Sequence, residues 1–400
     1  MTTPLSPETD QHLVTALLKL QAFIEKEQFR GYDPYDTLNS PFKFRYLGKM
    51  IPILAIQFQK RNPVNIRPLL GIKKGYNPKG LGLLLYGYSV LQKEQPAENH
   101  DRHTTFLFDY LKNNYSHGYS GYCWGYNFDW ASSGKYISAH SPNVVVTAFI
   151  AKGLFKYYEV SRHPEALTIL KSIGEFILND LPRTETNEGL CFSYTTLGVD
   201  CCYNASLLAA EVLAHLYALT KEERYKTPAL RAVDYVVHKQ HEDGHWNYSI
   251  EPGSGKERAQ IDFHQGYVID SIYHVMRYTG EYRPEYEAAI EKGTTYYRQK
   301  QFFDTGRSLW RLPKEYPVEI HNQSQGIITF ARMAHLDPAY RDFAKTIAGW
   351  TINHMQDEKG FFYYKKLKSH SHKIPYMRWS QAWMFVALVE LLYTTKSQHA

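Results

Sequence analysis

One pattern of apolar and polar positions recurs six times along the chain. A polar or small residue leads into a helix-length run of small and apolar residues: PKGLGLLLYGYSVL from Pro78, PNVVVTAFIAKGLF from Pro142, YNASLLAAEVLAHL from Tyr203, FHQGYVIDSIYHVM from Phe263, QSQGIITFARMAHL from Gln323 and WSQAWMFVALVELL from Trp379. Aligned on these runs, Lys79, Asn143, Asn204, His264, Ser324 and Ser380 are equivalent, spaced 64, 61, 60, 60 and 56 residues apart. A period held over six copies marks a repeat fold, in which each unit buries its apolar face against its neighbours. Between the copies lie more polar stretches such as PEALTILKSIGEFILNDL and AYRDFAKTIAGWTINHM, whose apolar residues recur at three and four, as on helices with one wet face. Each of these ends in a glycine followed by aromatics, at Gly121, Gly189, Gly244, Gly306 and Gly360. There a glycine can take the left-handed conformation that caps a helix, and the alternation after it predicts a short extended piece.

The predicted unit is an inner helix, a turn, an outer helix, a Gly-aromatic segment and a loop. Six such units closing on themselves give an all-α fold, an (α/α)6 toroid spanning residues 1–400. Residues 78–400 hold the six inner helices, and residues 1–77 hold N-terminal helices and a turn-rich stretch, GYDPYDTLNSPF, that could serve as a lid. One N-terminal helix, near 8–27 or 42–60, supplies the sixth outer helix. The loops before the inner helices then emerge on one face, where a cleft should form.

Composition narrows the picture. Aromatics make up 15% of the chain, with 33 Tyr and 7 Trp, and an apolar ring with a polar tip suits a half-wet cleft. The net charge of +6 is spread out with no basic tail, which argues against a nucleic-acid partner and leaves an anionic glycan compatible. Four cysteines without a CxxC pair fit a reducing compartment. The first twenty residues lack the features of a signal peptide, and no apolar run reaches 18 residues, so a cytoplasmic location without a transmembrane segment is expected.

The stretch QHEDGHWNYS, Gln240–Ser249, resembles the Q-x-x-D-G-x-W repeat of terpenoid cyclases and protein prenyltransferase β-subunits, which are α/α toroids. Taken whole, through GYDPYDTLNS, NIRPLLGIKKGYNPKG, CWGYNFDW, IDFHQGYV and PYMRWSQAWM, the chain looks like a bacterial toroid family associated with polysaccharide biosynthesis. That family is similar in architecture to six-hairpin glycosidases, toroidal polysaccharide lyases and glucuronyl C5-epimerases. The resemblance implies the fold and a polysaccharide or lipid-linked oligosaccharide substrate, without fixing a reaction.

Candidate chemistry gathers at the predicted mouth. The segment Cys123–Asn143 holds Trp124, Tyr126, Asn127, Asp129, Trp130, His140 and Asn143, a ring-rich loop ending at an inner-helix start. Other starts contribute Tyr194, Asn204, Trp246, Tyr248, Asp262, His264, Gln265, His321, Gln323, Arg378 and Trp379. Removal of the proton at C5 of a uronate, the first step of a lyase or C5-epimerase, needs a base and a neutralised carboxylate. Tyr126, His140 and His264 are the candidate proton carriers, and Asn, Gln, Arg and His of the mouth the candidate partners of the carboxylate. A glycosidase would use two carboxylates, for which Asp129, Glu188, Asp262 and Glu319 are candidates, Asp129 and Asp262 first. Each residue also has a bland role: Trp124 as a seam plug, Asn143 as a helix cap, Asp262 as an N-cap. No cofactor is required by these readings. The prenyltransferase resemblance implies one alternative, an isoprenoid-handling toroid with zinc on Asp200, Cys202 and His264. A non-catalytic glycan-binding subunit is the other. Oligomeric state is left open.

Overall fold

The computed structural model describes residues 7–131 and 136–393. Among these the chain forms thirteen α-helices. The inner helices are α3 (Pro78–Glu94), α5 (Val144–Ser161), α7 (Tyr203–Thr220), α9 (His264–Thr279), α11 (Ile320–Arg332) and α13 (Trp383–Tyr393), the last entered through a π-helical turn at Met377–Ala382. The outer helices are α4 (Glu98–Asn113), α6 (Pro164–Asn179), α8 (Glu223–Val237), α10 (Pro284–Gln301), α12 (Ala339–Met355) and α1 (Pro7–Lys26). The sixth outer helix is therefore the first helix of the chain. The remaining helix, α2 (Met50–Arg61), lies outside the ring.

Inner helices are buried nearly all round, because each is flanked by two other inner helices and backed by an outer one. Val144–Ala151 of α5 is buried without a break, as is Tyr203–Ala214 of α7. The closest approach is between α3 and α5. A Cβ at Gly153 would stand 2.3 Å from the Gly82 carbonyl oxygen, and one at Gly82 would stand 2.7 Å from the Ile150 Cα. One continuous apolar core follows from this packing, running from Leu13 of α1 to Leu392 of α13.

The Gly-aromatic segments show how one repeat is fastened to the next. Their glycines do not cap helices; the C-caps are Asn114, Asp180, His238, Phe302 and Gln356. Each glycine lies instead where its segment crosses the outer helix of the following repeat. A Cβ would meet Ser172 O from Gly121, Arg231 O from Gly189, Lys292 O from Gly244, Thr346 O from Gly306 and Lys19 O from Gly360, at 1.8–2.7 Å. The last of these crossings is on α1 and closes the ring, with Gln356 Nε2 donating to Ala16 O (2.9 Å) beside it.

Glutamines near the inner-helix starts hold the same segments. Gln265 accepts from Trp246 N (2.9 Å) and donates to Trp246 O (2.6 Å). Gln381 does the same to Phe362 (2.8 and 2.9 Å), and Gln323 accepts from Ser308 N (2.7 Å) while donating to Gly306 O (3.1 Å). Small antiparallel pieces complete the loops, the largest being two three-stranded sheets among the described residues.

The ring axis is closed at depth. Six to twelve residues into the inner helices, on the order of 9–18 Å along them at about 1.5 Å per residue, charged side chains interlock. Glu211 accepts from Lys152 Nζ (2.8 Å), Ser271 Oγ (3.0 Å) and His274 Nδ1 (2.8 Å). Arg332 bridges Asp270 (2.9 Å) and Glu390 (2.8 Å), and Tyr86 donates to Glu390. Lys152, Asp270 and Arg332 border a void of about 30 Å³, room for roughly one water molecule.

Between α1 and α3 the chain makes an excursion pinned at its neck. Gly31 and Gly75 exchange backbone hydrogen bonds (3.1 and 3.0 Å). Arg67, fully buried, donates to Asp36 (2.7 Å) and to Asp33 O (2.8 Å), fixing the inside of the excursion. Ser40 Oγ donates to Leu70 O (2.7 Å). The excursion carries α2 and lies against the end of the ring where the inner helices start: Asn39 Nδ2 donates to Asn127 O (3.0 Å) and Lys60 Nζ to Tyr35 OH.

Candidate active site

The inner-helix starts converge on that end, and the excursion supplies one wall. Arg378, in the π-helical turn before α13, donates through Nε and Nη2 to the two oxygens of Asp33 (2.6 and 2.8 Å). Its guanidinium lies over the rings of Tyr126 (5.0 Å) and Trp379 (4.8 Å). Tyr126 stacks on Phe128 (5.1 Å, 9°), and Tyr35 of the excursion packs on both Phe128 and Trp379. Trp379 Nε1 donates to Glu319 Oε1 (2.8 Å) and Trp310 Nε1 to Glu319 Oε2 (3.1 Å). Lys365 pairs with the same carboxylate at 3.4 Å.

Two imidazoles flank the ring of Tyr267, one turn into α9. His264 lies 5.7 Å from it edge-on, and its Nδ1 is 2.5 Å from Asp262 Oδ1. A carboxylate accepting from Nδ1–H leaves Nε2 with a free lone pair. Asp262 is further held by Gln260 Nε2 (2.8 Å) and Arg311 Nε (3.3 Å). Burial pushes its carboxyl up, but His264 and Arg311 outweigh that and hold it below the ordinary carboxylate value. On the other side, His321 Nε2 is 2.5 Å from Tyr267 OH, and its buried Nδ1 has no hydrogen-bond partner among the described residues. Burial, with Lys79, His264 and Arg378 nearby, holds His321 well below its ordinary value, so it is neutral at physiological pH.

Lys79 completes the floor. It is 3% exposed, and no hydrogen bond or ion pair reaches its ammonium among the described residues; the rings of Phe149 (4.2 Å) and Trp383 (5.3 Å) face it. Burial, reinforced by Arg378, drives its pKa well down. A nearly buried amine without a hydrogen-bond partner among the described residues is a group the fold alone does not account for. Burial raises the phenols of Tyr126 and Tyr194. Tyr248 packs edge-on against His264 (4.8 Å), and burial raises its phenol too.

Of the residues picked from sequence, Tyr126, Tyr194, Tyr248, Asp262, His264, His321, Arg378 and Trp379 therefore meet at the mouth. Others do not. Trp124 and Trp246 are buried plugs whose indoles donate to the last turns of α4 and α8, at Leu111 O (3.1 Å) and Val236 O (2.9 Å). Gln265 and Gln323 are the backbone clamps of the ring. Asn143 caps α5, accepting from Val146 N (2.9 Å), and Asn204 is buried against the Cys202 thiol (3.1 Å). Asn127 ties the loop to Asn77 (2.8 Å). Asp129 organises its own loop, accepting from Ala139 N (2.8 Å) and Tyr136 OH, which takes it out of a catalytic pair with Asp262. His140 sits at φ +63° with its side chain exposed, and Trp130 is on an exposed two-residue strand. Ser132–Lys135 of the same loop lies outside the described residues.

The zinc trio is not gathered. Asp200 accepts from Tyr194 N (2.9 Å), Cys202 faces Asn204, and His264 faces Asp262. Among the described residues no group of three His, Cys, Asp or Glu side chains is placed to hold a metal. Conversely, Asp33, Tyr267 and Lys79 are site residues that the sequence reading does not pick. Lys79 carried a signal, being the sole charge at a repeat-equivalent position in an otherwise apolar helix. Asp33 carried none, because its partner is 345 residues away.

Comparison with known proteins fits this arrangement. A family model described as pectic acid lyase matches residues 199–310, a little over a quarter of the chain, from α7 through α10. No curated protein matches the sequence. Among solved structures, a cellobiose 2-epimerase from Bacillus thermoamylovorans superposes with a TM-score of 0.62 at 15% identity, covering 79% of this chain and 88% of that one. The chain folds as an (α/α)6 toroid. A sugar epimerase from a ruminal bacterium (TM-score 0.65, 13% identity, 81% and 90% covered) and a GH76 alpha-mannanase from Bacteroides thetaiotaomicron (0.60, 15%, 81% and 88%) share that fold.

Proposed function

We propose that the protein is a carbohydrate-active enzyme of the epimerase or lyase kind, removing a proton from a saccharide carbon next to a carbonyl or carboxylate. The observation that carries this is the His264–Asp262 pair, set across the Tyr267 ring from a neutral histidine, His321, beside two buried cations, Arg378 and Lys79. A proton next to a carbonyl becomes removable when the negative charge it leaves on oxygen is met by fixed cations, and a neutral imidazole is the base that works near pH 7. In this reading His264 takes the proton through Nε2. Asp262 holds its tautomer and stabilises the imidazolium. Lys79 and Arg378 meet the oxyanion, while Tyr126 and Trp379 offer ring faces to the sugar. In an epimerisation the Tyr267 hydroxyl, bonded to His321 Nε2, would give its own proton to the opposite face, and the phenolate would regain one from solvent as His264 releases the proton it took.

Hydrolysis finds less support in the geometry. It needs a carboxyl group that stays protonated. Asp33 lies in a bidentate pair with Arg378, Asp262 is held below its ordinary value by His264 and Arg311, and Glu319 by Lys365 and Lys60 acting against burial. The toroids it superposes on include proteins named as sugar epimerases, and the family model it matches in part is named for a lyase of pectic acid, which lends support from outside the site.

The test is exchange in heavy water. Reducing cello-oligosaccharides and oligogalacturonates are incubated with the protein in deuterium oxide and examined by NMR and mass spectrometry for incorporated deuterium or an unsaturated product. His264→Ala should lower the rate about 10²–10⁴-fold with the melting temperature intact, whereas Tyr126→Phe, which keeps the ring face, should leave most of it. Activity surviving in His264→Ala would refute the assignment.

A further inference from the structure

Outside the ring, α2 presents an apolar face that nothing among the described residues covers. Pro52, Ile56 and Gln59 face inward and are buried. On the other side Leu47, Met50, Leu54 and Phe58, at helical spacing, are 56–63% exposed, and Phe42 and Tyr46 extend the same surface. Four large side chains in register, continued by two aromatics, exceed the scattered exposure normal for a protein surface.

The charge around this face is one-sided. From residue 37 to residue 93 the chain has ten Lys and Arg and no Asp or Glu. Lys43, Lys49, Arg61 and Lys73 are exposed on the excursion, before and after the apolar stripe, and no ion pair holds them among the described residues. A second copy of the chain docking here through a two-fold axis would set these cations against one another. An anionic lipid surface complements both features, because a helix lying flat in the headgroup layer buries its apolar stripe while flanking lysines and arginines reach the phosphates. No helix among the described residues is long and apolar enough to cross a membrane, so the contact is one of lying on the surface.

We infer that α2 and the segment before it form a docking surface for an anionic phospholipid membrane. The excursion also walls the candidate active site: Lys60 at the end of α2 reaches Tyr35, which packs on Trp379. Docking would therefore bring the mouth to the bilayer, where the saccharide would be a lipid-linked one. That corollary rests on the saccharide reading; the docking itself does not.

The test needs no saccharide, so its failure is separate from failure of the enzymatic assignment. The full chain is floated with vesicles of one part phosphatidylglycerol to two parts phosphatidylcholine, and with phosphatidylcholine alone. Wild-type protein should float with the anionic vesicles, weakly with the neutral ones, and less as salt is raised. Leu54→Glu with Phe58→Glu, and separately Lys43→Glu with Lys49→Glu, should each weaken partitioning by about tenfold or more with melting unchanged. Absence of flotation with anionic vesicles, equal flotation with neutral ones, or variants that float like wild type would overturn the proposal. So would a dimer in sedimentation that Leu54→Glu with Phe58→Glu dissociates, since it would assign the face to a second copy.

Discussion

Replacing Arg332 by Met should destabilise the ring in a way that depends on pH. The guanidinium bridges Asp270 and Glu390, both nearly inaccessible to solvent; Gln325 also donates to Asp270 and Tyr86 to Glu390. Taking away the cation leaves two carboxylates in a closed axis. Removing one member of a buried ion pair costs about 3–5 kcal/mol. At about 2 cal/mol/K per residue, a 400-residue chain unfolds with an entropy near 0.8 kcal/mol/K. The melting temperature should thus fall by about 4–6 °C at pH 8. Burial already raises the Asp270 carboxyl despite Arg332, and without Arg332 it rises further. A carboxyl raised in the folded state weakens folding only above its unfolded value near 4, by about 1.4 kcal/mol per pH unit until the folded value is reached. The deficit should therefore shrink at pH 5, where proton uptake neutralises the orphaned groups. Calorimetry of wild type and variant at both pH values decides it. A variant within about 1 °C of wild type at pH 8, or one with the same deficit at pH 5, would refute the view of the axis as an obligatory charge network.

Lys79→Met should raise the melting temperature while lowering turnover, because it removes an amine that the folded pocket disfavours. The gain should be full below the depressed pKa and fade toward the ordinary lysine value, as thermal melts from pH 6 to 10 would show. Gln381→Ala should cost about 2–4 kcal/mol in chemical denaturation, since it strands a buried N–H and C=O of Phe362. Gly153→Ala drives a Cβ into the Gly82 carbonyl and should cost more than about 3 kcal/mol or abolish soluble expression, whereas Gly349→Ala, with open space around it, should not.

Much of the fold was legible because the period of about 60 residues is a packing constraint repeated six times, and each copy reinforces the reading of the others. The site was legible in part. His264, Arg378 and Tyr126 stand where the period puts helix starts, and closure of the ring brings such positions together. Trp124, Trp246, Gln265 and Gln323 stand there too, yet they serve the seams. Sequence cannot separate an indole that stacks on a sugar from one that donates to Leu111 O, since both need a large ring with one donor. The same ambiguity hid α2: residues 42–60 read as a possible sixth outer helix, although α2 packs on the short turns of the excursion instead. The glycines before the aromatics were placed correctly and explained wrongly. A chain crossing leaves no local trace, because the helix it crosses lies in the next repeat.

Salt bridges among the described residues close the ring axis at depth and give the mouth a floor. The void among Lys152, Asp270 and Arg332 admits about one water molecule, so nothing the size of a sugar passes along the axis. A long polymer cannot be threaded through and handed on residue by residue. Whatever binds must enter end-first or as a small molecule and leave by the way it came. Entry and exit thus compete for the same opening under the excursion that carries α2, and each turnover has to empty the mouth before the next can begin.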